Sequence, residues 1–212
     1  MEKNKRFSLV ACAIVVALIL LDQILKIWVK THMCLGECIP LIGNWFNLYF
    51  VENPGMAFGL SFGQNFGKLL LTLLRIVLVV FLCWYMHRLI KRDKMDWAVL
   101  VTFSLIVAGA LGNIIDCLFY GVIFNESTLS TLAIMFPDGG GYAPFLYGRV
   151  VDMIYVKLFP IPSGFPVWGG TYFFPAIFNF ADTCVTVGVA LLIIFNKRVF
   201  KEERVEEEGV NE

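Results

Sequence analysis

The chain has 212 residues, of which 58% are hydrophobic and only 16% are charged. Soluble domains contain about 45–50% apolar and about 25% charged residues, so this composition favours a membrane protein. Basic and acidic residues number 17 each, and the resulting net charge of zero argues against a nucleic-acid partner. We expect one membrane-embedded domain over residues 1–200 and a disordered acidic tail over residues 201–212.

Four apolar stretches are long enough to cross a bilayer, since a spanning helix needs about 20 residues. The second stretch contains Arg75, whose side chain we expect to face protein or an interface instead of lipid. The pattern predicts an all-α polytopic membrane protein with four transmembrane helices. These helices would cover about residues 7–29, 68–89, 97–118 and 178–196.

Lysine and arginine residues indicate the orientation of the predicted helices. They cluster before the first stretch, between the second and third, and after the fourth, in residues 3–6, 88–94 and 197–204. Because cytoplasmic loops carry the excess of basic residues, both the N-terminus and the C-terminus should lie in the cytoplasm. Two long loops, about residues 30–67 and 119–177, should then face outward.

The outward loops contain turn and strand signals. Asn53-Pro54-Gly55 is typical of a turn, and residues 46–51 and 56–62 beside it are apolar enough for short strands. In the second loop, residues 137–141 should be irregular, and β-branched residues at 150–158 favour a strand. Short strands are therefore expected on the outward side.

Cysteines and histidines show no metal-ligand spacing, so we expect neither a metal nor another cofactor. The chain has six cysteines and two histidines. Cys34 and Cys38 lie in the first outward loop, where an oxidising compartment would allow a disulfide. The loop that this disulfide would close is very short, so free thiols remain the alternative.

Two aspartates, Asp152 and Asp182, lie in strongly apolar segments of the sequence. An ionisable group in or near the bilayer core is costly and usually marks a functional site. Two neighbouring carboxylates can share one proton and divide acid and base roles between them. The alternative is two separate carboxylates, each solvated or capping its own helix. The residues alone leave both readings open, because only folding can bring the two positions together.

Further polar residues occur in pairs on the predicted helices. Asn113 and Asp116 are three residues apart, and therefore lie on one face of the third helix. They either hold helices together or support the aspartates through hydrogen bonds, and we favour support. Asp22 and Lys26 are one turn apart on the first helix, which favours an ion pair over a catalytic couple.

Five short motifs follow one another along the chain. They are Leu21-Asp22-Gln23-Ile24-Leu25-Lys26, Glu52-Asn53-Pro54-Gly55-Met56-Ala57-Phe58, Gly109-Ala110-Leu111-Gly112-Asn113-Ile114-Ile115-Asp116, Gly148-Arg149-Val150-Val151-Asp152 and Phe178-Asn179-Phe180-Ala181-Asp182. Each motif alone is weak, but together they extend from the first predicted helix to the last. In this order they resemble the motifs of bacterial lipoprotein signal peptidase, also called signal peptidase II.

The resemblance implies a four-helix aspartyl endopeptidase of the bacterial cytoplasmic (inner) membrane, with a small extracytoplasmic β-element. It implies that Asp152 and Asp182 are the catalytic pair, near the extracytoplasmic face, and that no metal is needed. It also implies that prolipoproteins are cut before a diacylglyceryl-modified cysteine. Membrane lipids are the other expected partner, and we expect a monomer. The residues implicated in substrate binding or support are Asp22, Lys26, Asn53, Gly55, Asn113, Asp116, Arg149 and Asn179.

The chain departs from the family pattern in two places. Cys117 stands where the family commonly has arginine, and the segment between Asp116 and Asp152 is longer than usual. Arg149 is a candidate to replace the missing cation beside substrate, because the two outward loops contain no other arginine. Contact of Arg149 with lipid head groups is the alternative.

Two other classes of function use the same residue types. A small transporter or channel could relay protons or bind a cation through intramembrane carboxylates. An inverted repeat would favour that function, and the sequence contains none. A non-enzymatic assembly protein could use the polar motifs to hold helices together. The ordered motifs favour the peptidase over both.

Overall fold

The computed structural model describes residues 2–54, 64–165, 169–173 and 176–199. Two pairs of consecutive short strands separate the helices, and a π-helical turn, Asp116–Tyr120, follows helix α3 without a break. The elements are α1 (Glu2–His32), β1 (Cys38–Ile42), β2 (Phe46–Asn53), α2 (Gln64–Lys91), α3 (Trp97–Ile115), α4 (Gly121–Ile123), β3 (Val150–Val156), β4 (Ile177–Phe178), α5 (Phe180–Ile194) and α6 (Asn196–Val199).

Three of the described helical segments are long and apolar enough to cross a membrane: Glu2–His32, Gly67–Lys91 and Trp97–Ile123. They confirm the first three predicted stretches. The fourth stretch forms a shorter apolar helix, α5, of 15 residues. At about 1.5 Å per residue, α5 alone is about 22 Å long, which is less than the roughly 30 Å of a hydrocarbon core.

The chain forms two compact units, and the first comprises residues 1–20, 76–111 and 181–212. Within it, α5 approaches α3 closely because glycines lie at the contact. A Cβ atom added to Gly109 would overlap the carbonyl oxygen of Ala181, and one added to Gly188 would lie 2.6 Å from Ile106 Cγ1. Small residues therefore allow these apolar helices to pack backbone against backbone.

The second unit comprises residues 21–75 and 112–180 and contains an antiparallel sheet of four strands in the order β1-β2-β3-β4. Its central pair, β2 and β3, brings Val51 opposite Asp152 and Asn53 opposite Val150. Gly43 has a positive φ of 52° in the turn between β1 and β2, a conformation that favours glycine.

The sheet confirms two of the predicted strands and adds two. Residues 46–51 lie in β2, and the strand predicted at 150–158 ends at Val156. Strands β1 and β4 were not predicted, because β1 is mostly exposed and β4 has only two residues. The strand predicted at 56–62 and the tail at 201–212 lie outside the described residues. Cys34 and Cys38 are free thiols.

The long segment after the π-helical turn packs into the core of the second unit. Phe124 is completely buried in a cluster with Val29, Phe50 and Val151. The backbone N–H of Leu35 donates to the carbonyl oxygen of Thr128 at 2.9 Å, which ties the segment to the chain after α1. Residues 137–141 form turns and irregular backbone, as predicted.

Candidate active site

The amine of Lys26 lies at the centre of a buried polar network in the second unit. Its Nζ is 2.9 Å from Oδ2 of Asp22 and 2.8 Å from Oδ2 of Asp116, and all three side chains are at most 2% exposed. It also donates to Oδ1 of Asn113 at 2.9 Å. Three acceptors match the three N–H donors of an ammonium group. The predicted Asp22–Lys26 ion pair is therefore present, and the fold extends it to Asp116 and Asn113.

Asp116 connects this network to the backbone beside Asp152. It is the first residue of the π-helical turn and is fully buried. Its Oδ1 accepts from Nε2 of Gln23 at 3.0 Å, and its Oδ2 accepts from the backbone N–H of Val151 at 3.3 Å. These contacts are those of a residue that supports β3. Gln23, which was not singled out from the sequence, is one residue from Asp22 in the same motif.

Asn179 completes a chain of hydrogen bonds from Lys26 to Asp152. Its Nδ2 donates to Oδ1 of Asn113 at 3.0 Å and to Oδ1 of Asp152 at 2.7 Å. Both contacts are with acceptors, so both hydrogens of the amide nitrogen are used. The carboxyl group of Asp152, a residue that is 5% exposed, is thereby held in one orientation.

The glycine that opens the fourth motif has a physical role. A Cβ atom on Gly148 would overlap the carbonyl oxygen of Asp116 and would lie 2.9 Å from the backbone nitrogen of Gly121. The backbone N–H of Gly148 donates to the carbonyl oxygen of Cys117 at 2.9 Å. The chain can therefore enter β3 directly against the π-helical turn only with glycine at this position.

Asp182 lies in the first turn of α5, in the first unit, and is half-buried. A carboxylate in the first turn of a helix interacts favourably with the partial positive charge of the helix N-terminus. The contact between Gly109 and the backbone at Ala181 places this turn against α3. Of the two predicted catalytic aspartates, Asp182 thus lies at the start of a helix and Asp152 lies within strand β3. Both elements have defined backbone contacts.

A second charged cluster joins α1, β2 and the long segment. Glu52 accepts from Lys30, from Oγ of Ser127 at 2.7 Å and from Nη1 of Arg149 at 3.1 Å. The guanidinium of Arg149 also donates to Oε1 of Glu126 at 3.0 Å. Burial opposes the charged form of Arg149, but the hydrogen bonds to both glutamates outweigh it and raise the pKa of the guanidinium.

Aromatic rings enclose this cluster. Nζ of Lys30 lies 5.3 Å from the ring centroid of Phe124 and 5.0 Å from that of Tyr142, and Arg149 also lies over Tyr142. Burial of the phenol raises the pKa of Tyr142. Sequence reasoning did not identify Lys30 or Glu52. A signal was present, because Asp22, Lys26 and Lys30 repeat every four residues and therefore share one face of α1.

Of the two remaining predicted positions, Asn53 is the last residue of β2, and Gly55 lies outside the described residues. Within the ranges that the structure describes, no group of three or more histidine, cysteine, aspartate or glutamate residues is arranged to hold a metal ion. The charged groups of this site are instead held by one another.

The sequence matches known proteins along most of its length. The profile of the family described as Signal peptidase (SPase) II matches residues 14–197. A lipoprotein signal peptidase of Porphyromonas gingivalis is 47% identical over 189 residues, which are 87% of this chain and 81% of that protein. One of Amoebophilus asiaticus is 36% identical, over 89% of this chain and 77% of that protein.

A solved structure supports the same relationship. A bacterial membrane enzyme determined by the in meso method at 1.9 Å resolution superposes with a TM-score of 0.59 at 27% identity, covering 87% of this chain and 90% of that chain. The family profile, the relatives and the fold support the family that the five motifs resemble. The chain therefore belongs to the signal peptidase II family, the aspartic-type lipoprotein signal peptidases.

Proposed function

We propose that this protein removes signal peptides from prolipoproteins by cleaving before the diacylglyceryl-modified cysteine, with Asp152 and Asp182 as its catalytic pair. Family membership supports the reaction. Both aspartates lie in motifs that resemble those of the family and within the matched residues 14–197. The catalytic role of Asp152 is assigned mainly from one observation. Its carboxyl group accepts a 2.7 Å hydrogen bond from Asn179, at the end of the buried network around Lys26. Such a network is expected around a group that must keep one orientation.

An aspartic peptidase divides the work between two carboxyl groups. One carboxylate takes a proton from the attacking water, and the other carboxyl group, in its protonated form, donates a hydrogen bond to the scissile carbonyl oxygen. The hydrogen bond from Asn179 to Oδ1 keeps the carboxyl group of Asp152 in one orientation for this reaction.

The fourth membrane span is formed by α5 together with α6. The backbone N–H of Phe195 donates to the carbonyl oxygen of Leu191 at 2.8 Å, and that of Val199 donates to Phe195 at 3.1 Å. These bonds continue the helical path from Phe180 to Val199, which reaches the roughly 20 residues that a spanning helix needs. Basic residues at 197 and 198 then lie at its cytoplasmic end.

The enzyme works in the bacterial cytoplasmic membrane as a monomer, with both termini in the cytoplasm and the sheet on the extracytoplasmic side. Lysines and arginines at residues 88–94 support this orientation. The acyl chains of the substrate lie in the same bilayer, which raises the local concentration of the cleavage site.

Cleavage of a lipidated precursor by purified protein tests the proposal. Asp152→Asn and Asp182→Asn should each reduce turnover by about a thousandfold or more, as loss of a catalytic group does. Asp138→Asn, at an exposed position of the long outward loop, is the matched control and should cleave normally. Near-normal turnover by either active-site variant would contradict the pair and would favour a proton or cation relay.

A further inference from the structure

Helix α2 carries a polar stripe on one face. Lys68, Thr72 and Arg75 are spaced by four and three residues, which places them on the same side of the helix. Lys68 is 8% exposed and Thr72 is 1% exposed, so this side faces protein. The opposite side is exposed and apolar, as lipid contact requires, through Leu70, Leu73 and Leu74.

Two residues of this stripe donate to backbone carbonyl groups. Nζ of Lys68 donates to the carbonyl oxygen of Tyr147 at 2.6 Å, which joins α2 to the long segment. The hydroxyl of Thr72 donates to the carbonyl oxygen of Lys68 at 3.0 Å, one turn earlier in α2. Their positions are therefore explained by the fold itself.

Arg75 is different, because its guanidinium offers five N–H donors. Its one hydrogen-bond partner among residues 2–54, 64–165, 169–173 and 176–199 is the Sγ atom of Cys117, 4.0 Å from Nη1. A thiol sulfur is a weak acceptor. Most of the hydrogen-bonding capacity of Arg75 is therefore left for acceptors from outside this part of the chain.

Arg75 lies within a predicted membrane span, where N–H donors without acceptors are energetically costly. It lies eight residues after Gly67, which at about 1.5 Å per residue places it about 12 Å inside the apolar segment. A charged side chain at such a depth is expensive unless acceptors meet it. Arg88 is a contrast on the same helix: it is exposed near the cytoplasmic end and lies 5.5 Å from the ring of Trp84.

Because Arg75 contacts Cys117, it lies beside the π-helical turn that supports the strand of Asp152. Cys117 directly follows Asp116 in the π-helical turn, and Asp116 accepts the N–H of Val151, the residue before Asp152. An acceptor-rich ligand held by Arg75 would thus lie against the turn that supports the proposed catalytic carboxylate. An extended peptide has this chemistry, because its carbonyl oxygens have lost their helical partners.

We propose that Arg75 is a substrate-binding residue whose guanidinium donates to backbone carbonyl oxygens of the signal peptide on the membrane side of the scissile bond. This inference rests on the proposed function. Ester carbonyl groups of bilayer lipids offer similar acceptors, but they cannot explain why the guanidinium faces the π-helical turn and not the exposed side of α2. Arg75 would hold the extended peptide in register for cleavage.

The KM for a lipidated precursor is the decisive measurement. Arg75→Met keeps an unbranched apolar stem and removes every donor, and it should raise KM about tenfold to a hundredfold with little change in kcat. Arg75→Lys keeps the charge but loses the planar fork, so an intermediate increase is expected. Arg88→Met, on the same helix, is the matched control and should leave both constants unchanged.

Binding without cleavage provides a second readout. In an Asp152→Asn background, Arg75→Met should weaken the affinity for the intact precursor about tenfold. If Arg75→Met does not fold, the same affinity measurement is made with Arg75→Lys. Unchanged KM and affinity, with or without a lower thermal stability, would reject substrate binding and leave lipid or protein contact. Absence of cleavage by the unmodified enzyme would reject the proposed function itself, and this inference with it.

Discussion

The side-chain amide of Asn179 donates a 2.7 Å hydrogen bond to Oδ1 of Asp152, although the two residues lie in different motifs. The same amide nitrogen donates to Asn113, whose oxygen also accepts from Lys26. Four residues from four motifs are thus joined in one path of hydrogen bonds. The path links the ammonium group of Lys26 to the carboxyl group of Asp152, although no described hydrogen bond joins these two groups directly.

Asn179→Ala should lower kcat for a lipidated precursor about tenfold to a hundredfold with a smaller change in KM. The variant removes one hydrogen bond to a charged group, and such bonds contribute about 1.5–3 kcal/mol. Asn44→Ala, at an exposed turn position, is the control. A normal kcat in Asn179→Ala would mean that Asp152 keeps its orientation without this donor.

The double variant Asp152→Asn/Asp182→Asn should be hardly less active than either single variant. Groups that act as one catalytic unit have strongly non-additive effects, because removing the first already abolishes the shared mechanism. Initial rates on the same lipidated precursor give the comparison. Losses that multiply in the double variant would show that the two aspartates act independently.

Lys26→Met should reduce the free energy of unfolding by about 3–5 kcal/mol, because it leaves the buried Asp22 and Asp116 without their cation. Denaturant titration of the protein in mixed micelles measures the change. Lys3→Met is the matched control: it breaks the exposed Lys3–Asp93 pair, at 59% and 66% exposure, which should cost less than about 1 kcal/mol. Equal stability of the two variants would contradict the role assigned to the buried pair.

Gly148→Ala should destabilise the protein by about 1–3 kcal/mol and lower its activity, because the new methyl group meets backbone atoms that cannot move aside. These are the carbonyl oxygen of Asp116, the nitrogen of Gly121 at 2.9 Å and the carbonyl oxygen of Cys117 at 3.1 Å. Gly139→Ala, which would meet nothing within 4 Å, should be neutral in both assays. A neutral Gly148→Ala would show that the backbone entering β3 can shift freely.

Membrane orientation can be tested with single cysteines in a background lacking the native ones. Asp138→Cys should react with an impermeant thiol reagent in cells whose outer membrane is permeabilised, whereas Arg92→Cys should react only after lysis. Labelling in the reverse pattern would place the sheet and Asp152 in the cytoplasm. The site would then be unable to reach an exported precursor.

The sequence was a good guide wherever a local rule governs the structure. Runs of apolar residues predicted three long helices, because hydrocarbon requires about 20 residues with satisfied backbone groups. β-branched residues predicted β3, and aromatic residues predicted β2. β1 and β4 were missed because an exposed strand and a two-residue strand are formed by pairing with a neighbour and not by their own composition.

The sequence by itself determined that this is a membrane protein, which family motifs it contains and which charged residues lie in apolar segments. Only the tertiary structure decided which charges meet: Lys26 with Asp116, Lys30 with Glu52, and Arg149 with Glu52 and Glu126. These partners are far apart in the chain, so no local pattern links them. They are brought together because a charge buried in an apolar interior is stable only beside an opposite charge and enough hydrogen-bond partners.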